Sequence, residues 1–540
     1  MRYRNTGSVR APIAGDPITG RARQVGGRAR SLRWFAKLVA AGGAALVALP
    51  LALAEPASAA TYSPASDMNS MAKTAGYLGA AAWWNAGYTG AGVDVAVIDT
   101  GVAPVEGLAT AGKVIQGPDL SLESQAPNLR NLDTNGHGTF MAGVIAGKDS
   151  TLTAPYASAP ASAYRGIAPD ARIVAVKVAT ADGGVDVSQV IAAIDWVVQH
   201  RNDNGMNIRV INLSYGTNST QSYLDSPLAY AAEQAWKRGI VVVAAAGNSG
   251  YSIDALANPA VDPFVIAVGA TDSMGTAAVT DDTLGGFSAH GASGMRAPDF
   301  AAPGAHLQGL RVTNSHLDVN HPEGQIDTRY FRGSGTSQAA AVVSGTVALL
   351  AQKYPTITPD QIKNFLRSNA RPLTKVDVAD QGAGEIQLAP MLTKTPTAYT
   401  QTFTPSTGTG TLEAARGTDH LTANCVVLTG EKDVFGKPFN SATVAAATAA
   451  GSTWSGGTWN GSTWSGSTWS GSTWSGSTWS GSTWSGSSWS GSTWSGSTWS
   501  GSTWSGSRWS GSPWSGSTWS GSSWSGSTWS GNTWSGGTWS

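Results

Sequence analysis

The stretch Val93-Asp94-Val95-Ala96-Val97-Ile98-Asp99-Thr100-Gly101 decides the fold. Its first six residues are apolar except for Asp94 and rich in β-branched side chains, which is typical of a buried strand. Asp99 follows at the carboxyl end of that strand, where open α/β sheets place their binding sites. We therefore expect Asp99 to face a crevice, although an isolated Asp in such a place would usually cap a turn.

Strand-like and helix-like segments alternate after this stretch. The apolar runs predict further strands over residues 173–179, 209–213, 240–245 and 265–269, and helical spacing predicts helices over residues 187–202 and 228–237. A last helix is predicted to begin at Thr358, where Pro359 suits the first position and Gln361 completes a capping box. Residues 150–162 and 310–330 are expected to be surface loops. The alternation predicts an α/β fold of three αβα layers around a mostly parallel sheet.

Two other stretches also set one reactive side chain among small residues. His137 lies within Asn135–Thr139, and Ser337 ends Gly333–Ser337. With Asp99 they supply an acid, a base and a nucleophile, because an imidazole can take the proton of a hydroxyl and a carboxylate can fix the tautomer of that imidazole. Alone, a His here would more often cap a helix or lie on the surface, but the flanking Gly136 and Gly138 indicate close backbone approach.

Ser337 opens a hydrophobic stretch, residues 338–354, that predicts a buried helix. The free amides of a helix N-terminus favour a developing oxyanion, so the Ser337 N–H is a natural first donor. Asn248, after the strand predicted at 240–245, can supply a second donor. Alternatively, Ser337 is a helix cap and residues 247–250 form an ordinary turn.

Five segments that contain these residues resemble the signature blocks of the subtilases, the subtilisin-like serine peptidases. They cover residues 95–102, 135–147, 211–216, 244–248 and 333–345, read VAVIDTGV, NGHGTFMAGVIAG, INLSYG, AAAGN and GSGTSQAAAVVSG, and follow the family's order. The resemblance spans roughly residues 77–370. It implies the subtilisin-like fold, an Asp-His-Ser triad of Asp99, His137 and Ser337, and an oxyanion role for Asn248.

The resemblance also implies where substrate binds. The substrate backbone would pair with residues 213–216, and the side chain before the scissile bond would enter a pocket beside residues 244–248. The predicted substrate-binding residues are Ser214, Tyr215, Gly216, Ala246 and Gly247. They carry no charge, so we expect a preference for apolar or aromatic side chains. Subtilases often bind calcium in surface loops, but no ligand set is recognisable here, and no metal or cofactor is predicted for the chemistry.

The chain departs from the family pattern at two positions. Gln338 and the alanines after it stand where the family usually continues Ser-Met-Ala-Thr-Pro-His, and Phe140 replaces the second His that often follows His-Gly-Thr. Neither position performs the chemistry. The missing proline does remove a rigid element from the first turn of the helix.

The N-terminus reads as a signal peptide over residues 1–59. A basic region up to Lys37 precedes an apolar run over residues 38–54, and Ala57-Ser58-Ala59 matches the small-residue cleavage rule. An uncleaved membrane anchor is the alternative, and it would be the only membrane contact. Removal of residues 1–59 takes nine positive and two negative charges and leaves a net charge of −7, which argues against nucleic-acid binding. Cys425 is the only cysteine, so it forms no disulfide within the chain.

The C-terminus consists of eighteen pentads close to Gly-Ser-Thr-Trp-Ser over residues 451–540, with Arg508 as the only charge. With a period of five, the tryptophans would not share one face of a strand or of an α-helix. A solenoid with five residues per side would align them, and a flexible linker is disfavoured because one Trp in five is too adhesive. The tail is predicted to attach to glycan, cell wall or itself.

These observations define the predicted organisation. Residues 60–76 form a short N-terminal segment, residues 77–391 the peptidase domain, residues 392–450 a linker or small adaptor, and residues 451–540 the tail. The predicted function is a secreted serine endopeptidase, extracellular or attached to the cell surface, that acts on proteins or peptides. The alternative is an inactive scaffold that binds through its tail. An esterase or lipase is disfavoured because Ser337 lacks a Gly-x-Ser-x-Gly elbow.

Overall fold

The computed structural model describes residues 62–464, apart from 127, 254, 292–295, 424–425 and 456–457, together with short strands between residues 478 and 535. The predicted signal peptide and Cys425 lie outside the described residues. Among the residues described, no helix has the length and apolarity that a membrane crossing requires.

An eight-stranded sheet forms the centre of the molecule. Its strands are β1 (Asp94–Asp99), β2 (Val114–Asp119), β3 (Arg172–Lys177), β4 (Ile208–Leu213), β5 (Val241–Ala245), β6 (Ile266–Asp272), β7 (Thr283–Leu284) and β8 (Phe300–Pro303). Their order is β2-β3-β1-β4-β5-β6-β7, β8 also pairs with β6, and all pairs are parallel except β6 with β7. A separate hairpin joins β9 (Leu307–Leu310) to β10 (Tyr330–Gly333), and β11 (Thr422–Ala423) pairs antiparallel with β12 (Val426–Val427). The mostly parallel sheet confirms the predicted fold class.

Helices cover the sheet on both sides. They are α1 (Met71–Leu78), α2 (Ala80–Asn85), α3 (His137–Ala146), α4 (Val187–His200), α5 (Pro227–Lys237), α6 (His316–Asn320), α7 (Thr336–Lys353), α8 (Pro359–Asn369), α9 (Val378–Gln381), α10 (Leu412–Arg416) and α11 (Ser441–Ala450). Helices α3 and α7 pack against each other, and α4 packs against α5. Every residue of α7 from Thr336 to Ala351 is buried, as expected for a helix that is apolar on all sides. The capping box at Thr358 is present.

Several elements differ from the prediction. Strand β2 was not predicted, because Gln116, Gly117 and Pro118 interrupt the apolar pattern of its sequence. Residues 310–330 are not simply a loop: they contain α6 and a 3₁₀ turn at Pro322–Gly324, and both ends belong to the β9–β10 hairpin. Helix α1 extends from the segment predicted as 60–76 into the peptidase domain.

The segment predicted as a linker or small adaptor, residues 392–450, packs along the peptidase domain. Arg416 in α10 forms an ion pair with Asp186, the N-cap of α4, and both side chains are fully buried. The Tyr230 hydroxyl of α5 donates to the carbonyl of Ala445 in α11. Because a buried ion pair is costly unless both charges stay paired, this segment is part of the domain's packing.

The pentads adopt two arrangements. Strands β13 (Trp454–Ser455), β14 (Thr458–Trp459) and β15 (Ser462–Thr463) form an antiparallel meander. Strands between residues 478 and 535 pair in parallel with a shift of 20 residues, such as Trp484 with Trp504. A shift of 20 residues corresponds to coils of four pentads, the spacing of a solenoid with five residues on each of four sides.

Candidate active site

A buried hydrogen bond joins the predicted acid and base. Strand β1 ends at Asp99, and Asp99 Oδ1 lies 2.8 Å from Nδ1 of His137, the first residue of α3. Both side chains are buried. Asp99 Oδ1 also accepts a hydrogen bond of 2.8 Å from the backbone N–H of Thr100. A carboxylate that engages Nδ1 fixes the ring so that Nε2 is left to exchange a proton.

The glycines around His137 allow this contact. A Cβ at Gly138 would lie 2.1 Å from the carbonyl oxygen of Gly101 and 3.2 Å from Cβ of Asp99. Gly136 has φ of 101°, a backbone conformation that other residues rarely adopt. The predicted close backbone approach is therefore confirmed, and it places the imidazole against the end of β1.

Asp133 is a positioning residue that the sequence analysis missed. Its buried carboxylate accepts hydrogen bonds from Thr100 Oγ1 at 2.8 Å, from the Gly136 N–H at 2.7 Å and from the Thr139 N–H at 2.9 Å. Thr100 Oγ1 in turn accepts the Gly138 N–H at 2.8 Å. One carboxylate thus ties the residue after Asp99 to both sides of His137. The sequence offered only a weak signal, since Asp-Thr-Asn-Gly also reads as a plain turn.

Ser337 lies in the first turn of α7, as predicted, and is buried. Its carbonyl accepts a hydrogen bond of 3.3 Å from Ser214 Oγ, and the packing of α3 on α7 brings its helix beside that of His137. Within the described residues, no hydrogen bond joins Ser337 Oγ to His137. Such contacts are often long in enzymes without substrate and tighten when substrate binds.

Asn248 lies next to the N-terminus of α7. Its Oδ1 accepts hydrogen bonds from the N–H of Thr336 at 2.9 Å and from Thr336 Oγ1 at 3.0 Å. These contacts fix the carbonyl side of the amide, so Nδ2 is the group left to donate. Residue 248 is exposed, which makes that donor accessible beside Ser337.

The predicted substrate-binding residues follow the carboxyl ends of two neighbouring strands, β4 and β5. A Cβ at Gly216 would lie 2.6 Å from Cβ of Ala257, and a Cβ at Gly247 would lie 3.3 Å from the same atom. Ser214 and Tyr215 precede Gly216, and Ala246 precedes Gly247. The two strand ends therefore meet at Ala257, an uncharged residue that the sequence analysis did not identify.

The two departures from the family pattern contact the same strand. A Cβ at Gly333, the last residue of β10, would lie 2.6 Å from Gln338 Nε2 and 3.0 Å from the ring of Phe140. Both side chains are buried. Gln338 and Phe140 thus pack against the strand that leads into Ser337.

No group of three or more His, Cys, Asp or Glu side chains among the described residues is arranged to hold a metal ion. The site as described consists of side chains and backbone amides that can move a proton, attack a carbonyl carbon and stabilise an oxyanion. Calcium binding, which the family resemblance left open, stays a prediction without a ligand set.

Comparison with known proteins places this geometry in context. The model of the subtilase family matches residues 90–409. Serine protease AprX of Bacillus subtilis is 36% identical over 303 residues, which cover 55% of this chain and 65% of AprX. Subtilisin DY of Bacillus licheniformis is 36% identical over 287 residues, which cover 53% of this chain and 85% of that protein. The solved structure of fervidolysin from Fervidobacterium pennivorans, a keratinolytic enzyme related to subtilisin, superposes with a TM-score of 0.48 at 26% identity, covering 62% of this chain and 48% of fervidolysin.

Proposed function

Because the chain belongs to the subtilase family, we propose that it is a serine endopeptidase in which Asp99, His137 and Ser337 form the triad. The observation that carries the proposal is the 2.8 Å contact between Asp99 Oδ1 and His137 Nδ1, buried at the carboxyl end of β1. An ordinary His–Asp pair on the surface would not need the hydrogen bonds that Asp133 makes around His137. Nor would it need glycine at position 138, where there is no room for a side chain.

In the proposed reaction, Ser337 Oγ attacks the carbonyl carbon of the peptide bond while His137 Nε2 takes its proton. The charge on the substrate oxygen is stabilised by the Ser337 N–H and by Asn248 Nδ2. His137 then gives the proton to the leaving amine, which departs and leaves an acyl ester on Ser337. Water hydrolyses that ester with His137 acting first as base and then as acid. Asp99 stabilises the imidazolium form in each step.

For specificity, we propose that apolar or aromatic side chains occupy the space between residues 214–216 and 246–248. The support is the absence of charge at Gly216, Gly247 and Ala257, which line the junction of the two strand ends. Such a pocket discriminates modestly, by about 1–3 kcal/mol for each methylene group. A peptide library that is cleaved mainly after Lys or Arg would contradict this assignment.

Labelling with a serine-reactive phosphonate tests the function directly. The parent protein should be modified at Ser337 and should hydrolyse a soluble peptide, whereas Ser337→Ala should do neither. Absence of labelling in a parent protein that is correctly folded would instead favour the inactive scaffold.

We further propose that the protein is secreted and that its tail attaches it to a surface. The support is the signal-like pattern of residues 1–59 and the adhesive composition of the pentads. The relative Epr of Bacillus subtilis is named a minor extracellular protease. N-terminal sequencing of protein from the culture medium should begin near residue 60. In binding assays, the full chain should bind glycan or cell wall, or should associate with itself. A chain that ends at residue 465 should do none of these.

A further inference from the structure

The first three pentads of the tail lie against the peptidase domain. They span residues 451–465, and their strands β13 to β15 pair Trp454 with Trp459 and Thr458 with Thr463. Trp459 and Trp464 are fully buried. An isolated meander of three two-residue strands could not bury indoles in this way, so the domain provides the cover.

Helix α4 provides the acceptor for Trp459. The indole Nε1 donates a hydrogen bond of 2.9 Å to Oδ2 of Asp195, whose side chain is buried in the middle of α4. The same carboxylate oxygen accepts a bond of 3.1 Å from Thr448 Oγ1, and the ring of Trp459 lies 5.9 Å from that of Phe439. The indole is therefore fixed both by its polar edge and by its apolar faces.

The other residue types of the pentad also have partners. Thr453 Oγ1 accepts a hydrogen bond of 2.5 Å from Gln199 Nε2 of α4. Ser462 Oγ donates to a carboxylate oxygen of Asp433. The ring of Trp464 packs edge-on against Phe435 at 4.6 Å between centroids. The contacts thus come from all three pentads: Thr453 lies in the first, Trp459 in the second, and Ser462 and Trp464 in the third.

We propose that this face of the domain is a binding site for the start of the tail and that the first three pentads, which read Gly-Ser-Thr-Trp-Ser, Gly-Gly-Thr-Trp-Asn and Gly-Ser-Thr-Trp-Ser, are its ligand. We name it the pentad site and define it by Asp195, Gln199, Asp433, Phe435 and Phe439. The site holds the tail through noncovalent contacts in addition to the peptide chain. The inference does not depend on the proposed peptidase activity, because none of these residues belongs to the candidate active site.

The experiment separates the covalent link from the noncovalent one. A recognition sequence for a site-specific protease is inserted between Gly451 and Ser452, two exposed residues that precede the meander, in the full chain with Ser337→Ala to prevent self-cleavage. After cleavage, gel filtration at submicromolar concentration should show the fragment that begins at Ser452 eluting with the domain. Trp459→Ala should release the fragment, with an increase of at least about 30-fold in its dissociation constant.

The tail itself offers the matched control. Trp489→Ala makes the same change in a pentad outside the meander and should leave the fragment bound. A second measurement needs no substitution in the protein: excess peptide of residues 452–465 should displace the fragment, and the same peptide with both Trp459→Ala and Trp464→Ala should not. Separation of the parent fragments after cleavage, equal release by Trp489→Ala, or equal behaviour of the two peptides would overturn the proposal.

Discussion

Among the residues that the structure describes, two buried carboxylates each accept a hydrogen bond from a ring nitrogen. Asp99 contacts His137 Nδ1 at 2.8 Å, and Asp195 contacts Trp459 Nε1 at 2.9 Å. The local geometry is nearly the same. The donors differ, because an imidazole gains and loses protons near neutral pH while an indole remains a donor only. A buried Asp beside a ring N–H therefore indicates chemistry only when the ring can titrate.

The surroundings of the two carboxylates also differ. Asp99 stands at the end of a strand, where His137 can reach a crevice, whereas Asp195 is enclosed in the middle of a helix. Burial raises the pKa of Asp195 to about 6, and the hydrogen bonds from Trp459 and Thr448 oppose that rise. These surroundings fit the two proposed roles, in which Asp99 supports a proton transfer and Asp195 holds a segment of chain.

The largest difference is expected when both acids are changed to amides. Asp99→Asn should lower kcat/KM for a soluble peptide by roughly 10⁴-fold, because the amide cannot stabilise the imidazolium and favours the wrong tautomer. Asp195→Asn should change kcat/KM by less than about 3-fold, since Asn keeps a carbonyl oxygen for the indole. Steady-state kinetics on the two variants test this. A similar loss in both would mean that the peptidase site depends on the pentad site.

The second prediction concerns the domain boundary. A chain that ends at Ala450 loses the buried indoles of Trp459 and Trp464, and Asp195 loses the hydrogen bond from Trp459. A chain that ends at residue 465 keeps the meander. The shorter chain should be less stable by about 3–5 kcal/mol, the usual cost of replacing one buried Trp by Ala. Denaturant unfolding of the two truncations measures the difference. Equal free energies of unfolding would place the boundary at residue 450, as the sequence alone suggests.

Much of the candidate active site could be predicted from the sequence, because the signal for each of its residues lies in the few residues around it. Each of Asp99, His137 and Ser337 is flanked by small residues, and each lies at the end of a strand or the start of a helix that shows a clear periodic pattern. The match to the subtilase family confirms the resemblance that these blocks carry. The assignment of their individual roles stays a prediction.

The pentad site could not be predicted because its contacts join distant parts of the chain. Asp195 and Trp459 are 264 positions apart. A lone Asp within the apolar stretch Val190–Val198 was a usable signal, since a buried charge needs partners, but nothing in the sequence named the partner. The composition of the pentads, in turn, suggested one uniform tail. Instead the pentads near Trp459 pair antiparallel and those near Trp484 pair in parallel. The second pentad reads Gly-Gly-Thr-Trp-Asn, and Asn460 and Gly461 both have positive φ at the turn between β14 and β15, so this local departure from the repeat favours the tight turn of the meander.

The third prediction uses pH to separate the two carboxylates. In the docked state the pKa of Asp195 is about 6, and in the released state we expect its ordinary value near 3.8. The docked state therefore binds more protons between these values, so docking weakens as pH rises from about 4 to 6 and then stays constant. The difference of about 2 pKa units corresponds to at most roughly 100-fold in the dissociation constant of the cleaved fragment. Other groups near Asp195 include Arg238, whose charge lowers its pKa.

Measurement of fragment retention at several pH values tests this linkage, and Asp195→Asn is the control because its amide does not titrate. Tighter binding at high pH, or an unchanged pH dependence in Asp195→Asn, would contradict it. Global unfolding is a poorer readout, because burial also raises the pKa of Asp262, which is not part of the pentad site, to about 7.

The smallest expected effect concerns how the two sites make room for a side chain. The pentad site is filled by indoles, whereas at the proposed substrate pocket Gly216 and Gly247 lie against Ala257 without a side chain of their own. Gly216→Ala would place a Cβ 2.6 Å from Cβ of Ala257, so one of the two residues must shift and the proposed pocket beside them should change shape. We expect kcat/KM to fall by roughly 10-fold for peptides with Phe before the scissile bond and to change little for Ala at that position. Adding Ala257→Gly should restore cleavage after Phe, and fragment retention at the pentad site should be unchanged in both variants. An equal loss for Phe and Ala peptides would mean that Gly216 supports the backbone of the substrate and does not shape the pocket.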